Sequence, residues 1–186
     1  MTTGTDRDIV TLLRTDHDDI RTLLAHVGCG DPDRRREGSH RLRGLVIRHE
    51  VAEELVVYPA LLARPGGAAV ARSRLADQER IEEQLIALDR TGASIREFTA
   101  GSTRLVLDLL GHLDTEESQV LPLLATGIGA RRRTVLGQRF LEVKGLAPLR
   151  RVAPGVRVPA GPTIVDGTSA VAIWLRDCAA ARTSAS

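Results

Sequence analysis

Lysine and aromatic residues are nearly missing from this chain of 186 residues, which has one Lys, one Trp, one Tyr and two Phe. Of its 26 basic residues 25 are Arg, with Lys144 the exception, which reads as a base-composition bias of the genome. Within residues 126–186 the Arg residues are scattered, apart from Arg131-Arg132-Arg133 and Arg150-Arg151, and few aromatics accompany them to stack on bases. A nucleic-acid role is therefore disfavoured, although residues 126–186 carry a net charge of +7 against −5 for residues 1–125. The only two cysteines, Cys29 and Cys178, form neither a disulfide framework nor a C-x-x-C site. Residues 1–10 contain Asp6 and Asp8 and no apolar core, so they do not read as a signal peptide. No apolar run approaches the ~20 residues a membrane span needs. These absences point to a soluble protein in the reducing cytoplasm.

What is present is a repeat. His49-Glu50-Val51-Ala52-Glu53-Glu54 and His112-Leu113-Asp114-Thr115-Glu116-Glu117 both read H-x-x-x-E-E, and each is followed by a proline, Pro59 or Pro122, at the same distance. A His and a Glu four residues apart lie about 40° from each other around a helix, so both can serve one metal ion. The repeat extends backwards: Asp16-His17-Asp18-Asp19-Ile20 with Leu24, and Asp77-Gln78-Glu79-Arg80-Ile81 with Leu85, share D-[H/Q]-x-x-I-x-x-x-L. Gln78 thus stands where His17 stands in the first copy.

Apolar residues recur at three- and four-residue intervals in four stretches, the mark of amphipathic helices. The stripes run from Ile9 to Val27, with Thr5 as N-cap and Asp8 at the third helical position; from Leu42 to Ala60, opening near Ser39; from Ala71 to Leu88; and from Leu105 to Leu123. Breaks fall at Gly28–Gly38, Arg64–Gly67 and Thr91-Gly92. The expected fold is all-α, an up-down-up-down four-helix bundle over residues 1–125. A basic C-terminal extension follows over 126–186: a short helix from Arg131 to Lys144, a stretch bearing Pro148, Pro154, Pro159 and Pro162, and a last helix between Gly167 and Arg182 with Trp174 as its anchor. The extension is expected to dock on the bundle or on a partner subunit.

His17, His49, Glu53, Gln78, Glu82, His112 and Glu116 interrupt these apolar stripes. An unpaired buried charge costs several kcal/mol even after relaxation; a metal ion offsets that cost by neutralising carboxylates and ligating imidazoles. Imidazole with carboxylate and no thiolate suits iron or manganese better than zinc. Glu54, Glu79, Glu83 and Glu117 fall on surface faces. Glu50 points about 100° away from His49 and is a lesser candidate. His26 and His40 read as solvated or capping residues, Cys29 as an incidental thiol, and Tyr58 as a packing residue with its hydroxyl near the site entrance. A ferritin-type assignment fails because the one Glu-x-x-His string, Glu37 to His40, lies beside a glycine at a helix start. A zinc-protease motif lacks its second histidine.

A helix-one histidine, H-x-x-x-E followed by Tyr58-Pro59, and a second H-x-x-x-E followed by Leu121-Pro122 together resemble the haemerythrin-like (HHE cation-binding) family over about residues 8–125. The resemblance implies a non-haem iron site, typically di-iron, inside the bundle, with dioxygen or a similar small molecule at an open position. It implies His17, His49, Glu53, His112 and Glu116 as ligands. The family's helix-three histidine is replaced by Gln78, whose amide oxygen is a poorer ligand, and Glu82 one turn on could supply a further carboxylate. A weaker di-iron centre is favoured; a mononuclear centre and a site that no longer holds metal remain open. Three functions follow: an iron protein that binds or senses dioxygen, nitric oxide or redox state; a peroxide-decomposing enzyme at the same centre, favoured by the position an imidazole has vacated; and a structural bundle without metal. The sequence does not give the oligomeric state.

Overall fold

The computed structural model describes residues 7–27, 32–90 and 95–146. Helix α1 spans Ile9–Val27, α2 Pro32–Ala52, α3 Tyr58–Leu62, α4 Gly67–Arg90, α5 Ile95–Thr115, α6 Leu121–Gly127 and α7 Ala130–Leu146. π-helical segments, Glu53–Val57 and Glu116–Val120, join α2 to α3 and α5 to α6 as continuous rods. The described residues are therefore five helical rods with no strand. Along them α1 packs on α2, α4 on α5, and α7 on both α1 and α2. No helix among the described residues is long and apolar enough to cross a membrane. Thr5, Cys29, the Thr91-Gly92 break, the proline-bearing stretch, the helix expected between Gly167 and Arg182, Trp174 and Cys178 lie outside the described residues.

Two helix starts differ from expectation. Asp8 is not the third residue of α1 but its cap: its Oδ1 accepts the Val10 N–H at 3.0 Å, and Ile9 is the first helical residue. A carboxylate there satisfies one of the free N–H groups of the first turn, and Arg133 from α7 holds its other oxygen at 2.7 Å. Helix α2 begins at Pro32, not near Ser39, and passes through Gly38. Proline suits a first helical position because its fixed φ is helical and its missing N–H would be unpaired there anyway. The break at Arg64–Gly67 is where expected, with Gly66 at φ 75° making the turn.

Each π segment has a local cause. Proline cannot donate an N–H, and its ring crowds the carbonyl four residues back, here Leu55 for Pro59 and Ser118 for Pro122. A wider turn just before the proline accommodates this: the Tyr58 N–H reaches Glu53 O, and the Leu121 N–H reaches Glu116 O. Such turns are frequent at functional sites. Both begin at the glutamate of an H-x-x-x-E pair.

The interior has two main apolar clusters. One gathers Ile9, Leu13, Val56, Tyr58, Leu61, Val120, Leu124 and Phe140; the other gathers Ile20, Leu24, Leu42, Val46, Ile81, Leu85, Leu105, Leu109 and Leu113. Four of the five rods pass between them at a polar interruption, since His17 lies between Leu13 and Ile20, and His49 between Val46 and Val56. Gln78 lies between Ala71 and Ile81, and His112 between Leu109 and Val120. A polar layer therefore crosses the middle of the core.

Helix α7, the first element of the expected extension, docks on this core. Phe140 is fully buried in the first cluster. Gly137 meets the Arg7 carbonyl so closely that a Cβ would stand 1.9 Å from that oxygen, so only glycine permits the contact.

Candidate metal centre

His17, His49, Glu53 and Glu116 are buried, and one ligand atom from each lies within 4.8 Å of those of the other three. His17 Nε2 stands 3.4 Å from Glu116 Oε2, and His49 Nε2 stands 3.5 Å from Glu53 Oε1 and 4.0 Å from Glu116 Oε2. Around an ion with bonds of about 2.1 Å, donors lie about 3.0 Å apart when cis and about 4.2 Å apart when trans. The separations of 3.4, 3.5 and 4.0 Å fall between these values.

None of these four facing atoms, His17 Nε2, His49 Nε2, Glu53 Oε1 and Glu116 Oε2, has a hydrogen-bond partner among the described residues. Buried polar atoms are nearly always hydrogen-bonded. Four such atoms turned toward one another fit a shared cation.

The opposite ring nitrogens are held from outside. His17 Nδ1 lies 3.0 Å from Glu117 Oε1, which Arg21 also engages at 2.7 Å. His49 Nδ1 lies 3.1 Å from Asp16 Oδ2. An imidazole that donates its Nδ1–H to a carboxylate presents Nε2 as a lone pair, the tautomer a metal requires. The rings meet edge to face with centroids 5.1 Å apart.

Beyond Glu53 and Glu116 lies a second group. Glu116 Oε1 faces His112 Nε2 at 3.3 Å and accepts the Tyr58 hydroxyl at 2.9 Å. Gln78 Nε2 donates to Glu53 Oε2 at 2.9 Å and to the Tyr58 oxygen at 2.5 Å. Both carboxylates thus stand between the His17/His49 side and the His112/Gln78 side, and the Tyr58 hydroxyl sits among the second group. Gln78 Oε1 and both nitrogens of His112 have no hydrogen-bond partner among the described residues. Glu82 is half-buried and outside the group of four.

The two glutamates titrate in opposite directions. Burial and the neighbouring Glu116 carboxylate push Glu53 well above the usual range. Burial would also raise Glu116, but His112, His17 and His49 outweigh it and hold Glu116 well below. Without an ion, two carboxylates this close disfavour ionising together. Burial opposes the charge on His49, yet Glu53, Asp16 and Glu116 keep its pKa well above ordinary; burial lowers that of His112.

Three residues have places the sequence did not give them. Glu117, read as a surface acid, anchors His17. Tyr58 is fully buried with its hydroxyl inside the polar layer, not at its entrance. In a regular helix it would point about 140° from Glu53; the extra residue in the π turn brings the two together. Asp16 is buried against His49, and the D of the D-[H/Q] repeat was its only trace. Glu50, the lesser ligand candidate, is buried and adds to the negative field on Glu53 and Tyr58. Glu79 and Glu83 are exposed, as expected, and so is His40.

Residues 8–124 match the family model described as the hemerythrin HHE cation binding domain. No curated protein and no solved structure matches the chain.

Proposed function

Because the chain belongs to the hemerythrin HHE cation-binding family, we propose that it is a non-haem iron protein that binds or senses dioxygen, nitric oxide or redox state in the polar layer of its bundle. The carrying observation is the convergence of four buried donor atoms without hydrogen-bond partners from His17, His49, Glu53 and Glu116. The donor set of imidazole and carboxylate without thiolate favours iron, with manganese the alternative. These four residues hold the first ion. His112 and Gln78, with the far oxygens of Glu53 and Glu116, hold a second, and the two carboxylates lie between. Glu82 is in reserve as a carboxylate on the Gln78 helix. The reading includes an up-down-up-down order of the four bundle rods over residues 1–125, a separate extension from 126, and a cytoplasmic location.

Iron so held supplies an open coordination position for dioxygen, nitric oxide or peroxide. The chain's own groups set the conditions there. Leu13, Ile20, Val56 and Leu109 belong to the buried clusters on either side and limit water. Glu117 and Asp16 fix the two imidazoles; Tyr58 and Gln78 donate hydrogen bonds to the carboxylates and fix which oxygens stay available.

The replacement of an imidazole by Gln78 supports a second reading, peroxide decomposition at the same centre, since an amide leaves a position more easily vacated. The test is metal content per chain of the purified protein with its optical spectrum, followed by oxygen and peroxide addition. A reversible spectral change without turnover supports binding or sensing. Rapid oxygen release from peroxide, lost in His49→Ala, supports the enzyme. Iron that neither copurifies nor binds on addition would sink both and leave the structural bundle.

A further inference from the structure

We propose that helix α7, beyond the part of the chain that matches the family, is a positioning element for His49, and that Lys144 is the residue through which it acts. This rests on the reading of His49 as a metal ligand.

Lys144, the chain's single lysine, places Nζ 2.5 Å and 2.6 Å from the two oxygens of Asp16. Asp16 Oδ2 is the same oxygen that lies 3.1 Å from His49 Nδ1. Phe140, one turn earlier on α7, sets its ring against His49 edge to face, with centroids 6.0 Å apart. Two neighbouring side chains of one helix therefore bracket one imidazole: the aromatic ring limits its rotation, and the ammonium fixes the carboxylate that holds its Nδ1–H.

A carboxylate with one partner can rotate and leave the imidazole. One clamped through both oxygens by an ammonium cannot do so without breaking two charge-assisted hydrogen bonds. Lys144 therefore lowers the freedom of Asp16, and through it the freedom of the Nε2 lone pair of His49. His17 has no such link, since its anchor, Glu117, belongs to the bundle itself and is held by Arg21. Undocking α7 would loosen one imidazole and leave the other oriented. Coupling of this kind is reciprocal, so metal bound at His49 also favours a docked α7.

Helix α7 has a second clasp that provides the control. Arg133 Nε holds Asp8 Oδ2 at 2.7 Å at the start of α1, and its Nη1 donates to the Ala125 and Ile128 carbonyls, three partners that lie outside the metal centre. If α7 served only stability, cutting either clasp would have the same effect on the site.

The experiment is an anaerobic ferrous-iron titration of the full chain as wild type, Lys144→Met, Lys144→Arg and Arg133→Met, with melting temperatures of the metal-free forms. Removal of outer groups that orient a ligand weakens metal binding by about 10–100-fold. Lys144→Met, one bond further out, is expected to weaken the first iron about tenfold and alter its spectrum. Lys144→Arg should restore affinity to within about twofold, and Arg133→Met should leave affinity and spectrum unchanged even where it lowers the melting temperature. Equal affinity and spectrum in Lys144→Met and wild type would overturn the inference while leaving the metal reading intact, as would equal weakening by Lys144→Met and Arg133→Met. A wild-type chain that takes up no iron overturns both.

Discussion

The two copies of the internal repeat fold alike and differ in equipment. In the first, Asp16 and His17 on α1 stand with His49 and Glu53; in the second, Asp77 and Gln78 on α4 stand with His112 and Glu116. Asp16 anchors His49, whereas Asp77 is taken by Arg74 and Arg80 at 2.8 Å each. Glu117 anchors His17. Gln78 is held by Glu53 and Tyr58. Tyr58 follows the first π turn and Leu121 the second, so one hydroxyl enters the polar layer from one side alone. One half therefore presents two oriented imidazoles and two carboxylate oxygens, and the other presents a single imidazole and an amide around a phenol. On the proposed reading, a repeat that keeps its backbone while its side chains diverge yields two unequal sites, which should load in sequence.

The strongest test of that inequality removes one imidazole from each half. His49→Ala is expected to weaken the first iron by more than the 10–100-fold typical of outer groups. His112→Ala should leave the first iron bound and lose the second. Iron titration with calorimetric or optical detection reads both. Equal losses in the two variants would make the halves equivalent and the comparison wrong.

A finer contrast lies in the paired acids after each motif. Glu117→Ala frees the Nδ1 of His17 and should weaken the first iron by about 10–100-fold. Glu54→Ala should change affinity by less than about twofold, an effect small beside that range, because Gln78, the residue it would serve by the repeat, already has other partners. Gln78→His addresses the same asymmetry from the other side. It is expected to tighten the second iron about tenfold, within the range ligand changes produce, and to raise iron per chain at low supply. Unchanged occupancy would show that the Tyr58 hydroxyl, not the missing imidazole, limits that half.

The residues that gather in the polar layer were largely legible because chemistry and patterning disagreed. His17, His49, Glu53, His112 and Glu116 sit in apolar stripes, and helical spacing alone aligns each His with its Glu. The groups that orient them were not legible. Glu117 lies 100 residues from His17, Asp16 lies 33 from His49, and Lys144 lies 128 from Asp16. Helical periodicity gives a residue's face on its own rod and not which residue of another rod meets it. Tyr58 was misplaced because the widened turn changes that periodicity within five residues. The start of α2 was misplaced because Gly38 reads as a break, although the helix passes through it.

The pKa difference between Glu53 and Glu116 yields the smallest effect, and it turns on Gln78. Glu116 is surrounded by three imidazoles and is held low; Glu53 meets one imidazole and two neutral donors and is held high. A carboxyl raised in the folded state binds more protons than in the unfolded chain, so its contribution falls as pH rises from its ordinary 4.5 toward its folded value. His49 acts in the same direction from 6.5 upward. Asp16 and Glu116, both lowered, act oppositely and lose their contribution as pH falls below their ordinary 3.8 and 4.5, and His112, also lowered, loses its own as pH falls below 6.5. Above pH ~6.5 only the raised groups remain in play, so the metal-free protein should lose melting temperature toward pH ~8, on the order of 2–4 °C for each kcal/mol. Iron occupancy should run the other way, falling toward pH ~5 as the donors protonate. Gln78→His places another imidazole beside Glu53, lowers its pKa and should flatten the metal-free slope. A metal-free melting temperature that climbs from pH ~6.5 to ~8 would mean that Glu53 is ionised in the folded chain, and that the two glutamates are electrostatically alike despite their unequal surroundings.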